Sequence, residues 1–87
     1  MINRREQTLE RVKDIVIGEI ADANVKVYLF GSWARGEERR SSDIDIELDW
    51  VGGAPPDKLA RLRDVLAESD VPFRVDVVDL SSAGEVL

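Results

Sequence analysis

The chain has 87 residues and a formal charge of -6 from 12 basic and 18 acidic side chains, with no Cys and no His. That length predicts one domain over 1–87, and the globular composition excludes a disordered tail. The acidic balance argues against general nucleic-acid binding, while the missing Cys and His exclude thiolate nucleophiles and imidazole bases and leave catalysis to carboxylates. No apolar stretch approaches the roughly 20 residues that span a bilayer, and the N-terminal residues lack a signal-peptide core, so a cytoplasmic protein without membrane contact is expected.

In chain order, apolar Leu9, Val12, Ile15 or Val16, and Ile20 recur among charged residues and predict an amphipathic helix from about Arg4 to Asp22. Val25 to Phe30 is a short β-branched run that predicts a buried strand, stopped by a turn at Gly31. Ser32 is placed to cap a short helix that ends at Gly36. In Asp43-Ile44-Asp45-Ile46-Glu47-Leu48-Asp49-Trp50 every odd position is acidic and every even one apolar, the period of a strand. Prolines 55 and 56 lead into a helix from about Asp57 to Glu68, with Leu59, Leu62, Val65 and Leu66 on one face. A third strand is expected at Phe73 to Leu80, and Ser81 to Leu87 is too short for more than a turn or a frayed helix. The expected fold class is α+β, in the order α-β-α-β-α-β.

Asp43 and Asp45 leave one strand face with Cα atoms about 7 Å apart, so both carboxylates can converge on a hard cation such as Mg²⁺. The plainer reading is the solvated face of an edge strand. Gly31-Ser32, a strand ending at a helix start, presents unpaired N–H groups and a hydroxyl to a phosphate; an ordinary capped turn explains the same pair. Paired cations commonly hold the attacking and leaving oxygens in phosphoryl chemistry, so a third acid is sought. Asp76, inside an apolar run, is the candidate, with a salt bridge to Arg74 as the plainer account. Asp79 is the fallback and reads as a surface or turn acid. Arg35 can neutralise triphosphate charge. Arg39 and Arg40 read as a solvated loop, Ser42 as either a phosphate contact or a cap for the strand, and Trp33 as packing rather than a base contact.

Gly31-Ser32-Trp33-Ala34-Arg35-Gly36, then Asp43-Ile44-Asp45, with Asp76 on a later strand, resembles the minimal nucleotidyltransferases of the DNA polymerase β superfamily. The resemblance covers nearly the whole chain. It implies a mixed sheet with flanking helices and Mg²⁺-dependent transfer of a nucleoside monophosphate to an acceptor hydroxyl, with release of pyrophosphate. Asp43 and Asp45 would hold the metals, two ions in all, and Asp76 would join them and help position or act as the base. Gly31 and Ser32, with Arg35 and Ser42 beside them, would hold the triphosphate. Small members are similar to the antitoxins paired with HEPN ribonuclease toxins, in which the transferase moves AMP from ATP to a toxin tyrosine. Eight residues follow Asp79, too few for an acceptor-binding annex, so the hydroxyl is expected to arrive on a protein partner unless the chain is trimmed. Two alternatives stay open, a non-catalytic module that masks its partner and an enzyme acting on a small-molecule hydroxyl such as an aminoglycoside's. A homo-oligomer also stays open.

Overall fold

The structure is a computed structural model that describes residues 3–21 and 24–80. Helices and strands follow in the expected order: α1 (Arg4–Ile20), β1 (Val25–Phe30), α2 (Gly31–Arg35), β2 (Ile44–Trp50), α3 (Pro56–Glu68) and β3 (Val75–Asp79). The Asn3 side chain opens α1 by accepting from the Glu6 N–H at 2.8 Å, and Glu6 adds negative charge where the helix dipole is positive. The helix ends where Ala21 turns left-handed at φ 44° and donates its N–H to Ile17 O. Its expected last residue, Asp22, lies outside the described residues, as does the segment from Ser81 to Leu87. Both Ile15 and Val16 are buried, with Val12 and Ile20, so the apolar stripe is wider than a single-row reading.

The sheet has the order β1-β2-β3, with β1 antiparallel and β3 parallel to β2, the mixed sheet that the family resemblance implies. Period-two alternation sends Ile44, Ile46, Leu48 and Trp50 into the core with Val12 and Val16 of α1 and Leu62 and Leu66 of α3. The acids of β2 therefore face away from the helices. Because β2 is the central strand, its acidic row is not the face of an edge strand; both edges belong to its neighbours.

Four local expectations change. The strand at β1 is not buried: it pairs on one side only, Val25 and Leu29 are half-buried, and the other four residues are exposed. The short helix begins at Gly31, with Phe30 in the capping position, so Ser32 lies within α2 and does not cap it. The third strand starts at Val75, because Phe73 turns aside to pack edge-on against Trp33 with ring centroids 4.8 Å apart. Asp79, read as a surface acid, is 7% exposed and accepts from the Ala54 N–H at 2.9 Å, which ties the loop before α3 to β3. Its odd position belongs to the inward face of β3, since it pairs with Leu48.

Trp33 is buried as core packing, and its Nε1–H donates to Ser42 O at 3.3 Å. The guanidinium of Arg5 donates to Trp33 O and to Glu38 Oε1, so α1 holds α2 and the loop after it in place. These contacts position the end of β1 and the beginning of β2 against each other.

Candidate active site on the open face of the sheet

The site grows from two registers. Phe30, the last residue of β1, pairs with Asp45, and Asp45 pairs on its other side with Asp76 of β3. Residues in register share a face, and neighbouring strands lie about 4.8 Å apart, so Asp45 and Asp76 project side by side on the side away from the helices. Asp43, half-exposed and just before β2, continues that face two residues upstream. Asp76 is therefore not an acid trapped in an apolar run; the run belongs to both faces, and its side chain is 38% exposed.

Gly31 follows Phe30 at φ +73°, and a Cβ added there would collide with the Asp45 carboxylate. Glycine thus serves twice, by reaching a left-handed conformation and by letting the backbone come up against an acid. The next residue, Ser32, has its carbonyl engaged by the N–H groups of Gly36 and Glu37.

The remaining sequence candidates are placed as follows. Arg35, exposed in the last turn of α2, pairs with Glu37 at 3.4 Å. The Ser42 hydroxyl accepts from the Arg39 N–H at 2.8 Å, while the Ser42 N–H donates to Arg39 O at 2.9 Å, so this residue closes the turn that leads into β2. Arg39 and Arg40 are exposed in that loop. Arg74 pairs with Asp76 at 3.1 Å, the salt bridge named as the plainer account, and it coexists with the register to Asp45.

A groove of about 690 Å³ opens beside these acids, bordered by Asp45, Asp76, Phe73, Arg74 and Arg63. Arg63 reaches across from α3 and donates to Val77 O at 2.7 and 3.2 Å, which satisfies a carbonyl on the open edge of β3. Arg63 and Arg74 bring positive charge to this groove beside the two carboxylates. Arg74 is legible in the sequence as a partner for Asp76, two residues away, whereas Arg63 is not, because only the packing of α3 against β3 brings it to this groove.

Among the described residues no three acids stand close enough to form a ready-made metal cage. The donor chemistry nevertheless fits a divalent cation: Asp43, Asp45 and Asp76 offer hard carboxylate oxygens on one face, and Gly31 leaves the Asp45 carboxylate its space. Arg74 occupies part of the Asp76 carboxylate and is the cation a metal would have to displace.

The polymerase beta nucleotidyltransferase model matches residues 10–87, which span every element from mid-α1 onward. The chain belongs to this nucleotidyltransferase family. Over 83 residues it is 34% identical to a protein of Haemophilus influenzae named as a probable protein adenylyltransferase MntA, covering 93% of this chain and 69% of that one. It is 44% identical over 63 residues to protein adenylyltransferase MntA of Shewanella oneidensis, covering 70% of this chain and 43% of that one. A Methanocaldococcus jannaschii protein named as a putative protein adenylyltransferase is 34% identical over 83 residues, covering 90% of this chain and 95% of that one. As a nucleotidyltransferase the chain is an enzyme whose substrate is a nucleotide, and the reaction calls for a divalent cation to offset phosphate charge. No helix among the described residues is long and apolar enough to cross a membrane.

Proposed function

We propose that this chain, a single nucleotidyltransferase domain, is a protein adenylyltransferase of the cytoplasm. It moves AMP from ATP to a hydroxyl on a partner protein and serves as the antitoxin that neutralises a HEPN-type ribonuclease by modifying a tyrosine. The observation that carries this reading is the pairing of Asp45 with Phe30 on one side and Asp76 on the other, which lines up the Gly31 turn and two acids on one open face. The names of the related proteins support the protein acceptor.

Gly31 and Ser32 hold the triphosphate through backbone N–H groups and the Ser32 hydroxyl, with Arg35 and Ser42 as further phosphate contacts. Asp43, Asp45 and Asp76 hold Mg²⁺, two ions in all. Bound there, the metal offsets charge on the phosphate oxygens and lowers the cost of making the acceptor oxygen a nucleophile. Asp76 orients the acceptor hydroxyl and takes its proton. The acceptor oxygen bonds to the α-phosphorus, the bond from that phosphorus to the bridging oxygen breaks, and pyrophosphate leaves. The net charge of -6 favours a basic protein surface as the docking partner over a nucleic acid.

Incubation with labelled ATP, Mg²⁺ and a co-expressed HEPN-type partner tests the reading. Label should appear on a partner tyrosine and vanish in Asp43→Asn/Asp45→Asn. Neutralisation of the partner that survives this double substitution without label would instead establish a masking module, and label on an aminoglycoside alone would establish a small-molecule enzyme.

A further inference from the structure

The open face of the sheet carries two exposed aromatic side chains that the fold does not use. Tyr28 and Phe30 are 40% and 42% exposed, with ring centroids 6.2 Å apart and planes tilted by 57°. Both stand on the face of β1 that carries the acid row, since Phe30 pairs with Asp45 and Tyr28 with Glu47. The other rings are spent on packing: Trp33 and Trp50 are buried, and Phe73 packs on Trp33. A lone exposed ring needs no explanation, but two neighbouring rings beginning directly beside Asp45 form an apolar step adjoining the candidate active site.

We propose that Phe30 and Tyr28 are the platform on which the adenine ring of ATP stacks, with Glu47 accepting from its exocyclic amine. This rests on the nucleotidyltransferase reading of the site and adds where the base lies. Charge sets the direction. Glu47 and Asp49 continue the acid row past Asp45, so the far end of this face repels phosphates and receives only the uncharged part of the nucleotide. Phe30 is covalently joined to Gly31, and the step to Tyr28 runs about 7 Å back along the strand, the reach of a purine extending from a sugar at the site. Every base has a π-face, so stacking supplies affinity, while a carboxylate opposite Tyr28 favours adenine, which presents an amine there, over guanine, which presents a carbonyl oxygen.

Calorimetric titration of the full chain in Mg²⁺ buffer with ATP, GTP and inorganic tripolyphosphate tests the assignment. Phe30→Ala and Tyr28→Ala should each weaken ATP about tenfold and leave tripolyphosphate unchanged, while Phe30→Trp retains ATP binding. Glu47→Gln should narrow the preference for ATP over GTP. Both alanine positions are exposed, and far-UV circular dichroism confirms that the variants fold. Equal losses for ATP and tripolyphosphate, or unchanged ATP binding in both alanine variants, would overturn the platform with the transferase reading intact; an ATP preference indifferent to Glu47→Gln would overturn the role of Glu47. Wild-type protein that binds neither ATP nor tripolyphosphate would overturn both readings together.

Discussion

Gly31 and Gly36 bracket α2, both with positive φ, yet only the first has a neighbour where a side chain would go. Gly31→Ala and Gly36→Ala should each cost about 1 kcal/mol or more in chemical denaturation, because a Cβ disfavours the left-handed region. Their effects on ATP should part: Gly31→Ala displaces the Asp45 carboxylate and abolishes binding, whereas Gly36→Ala binds like wild type. Arg74→Ala gives a second test. The pair it removes is exposed enough that stability should fall by less than about 1 kcal/mol, while release of Asp76 should lower the Mg²⁺ concentration needed for half-maximal labelling. At this scale the sequence was informative about residue types and poor about partners. Trp33 read correctly as packing, since a large ring beside a turn has few other places to go. Asp79 did not read as buried, because its acceptor role depends on a loop 25 residues away in sequence.

Elements were more legible than partners because periodicity is local. The alternation from Asp43 to Trp50 specified both the strand and its two faces, and Leu62 and Leu66 follow the helical period of α3. Leu62→Ala, at a position 1% exposed, should cost about 2–5 kcal/mol and lower the melting temperature sharply. Ile17→Ala, on the exposed flank of α1, should shift it little. Asp79→Ala leaves the Ala54 N–H unpaired in a half-buried loop and should cost about 1–3 kcal/mol, with ATP affinity of the folded protein unchanged. That outcome separates the structural acid of β3 from Asp76, three residues earlier on the opposite face. Strand edges were not legible in the same way: β1 carries the composition of a buried strand, yet it pairs on one side only, and Tyr28 and Phe30 stand on the face of the sheet that faces away from the helices.

Across the whole molecule, long-range ion pairs join elements distant in sequence. The Arg11 guanidinium on α1 donates to Asp70 after α3 at 2.9 Å and holds that carboxyl below its ordinary value of 3.8. A lowered folded-state pKa means stabilisation present above the ordinary value and lost as pH falls through the lowered one. Wild type should therefore lose slightly more stability than Asp70→Asn on acidification below about pH 4, and high salt should erase the small difference because the pair is solvated. The sequence by itself determined which side chains are available: an acidic chain without Cys or His, a glycine-serine turn, and an Asp-x-Asp strand whose acids share one face. Local periodicity and residue chemistry suffice for that, since neither depends on distant partners. Only the tertiary structure decided that β2 is central, that Asp76 rather than Asp79 stands beside Asp45, and that two aromatic rings border the acids. Those facts follow from strand order and register, and register depends on how two separate stretches of chain bury their apolar faces together.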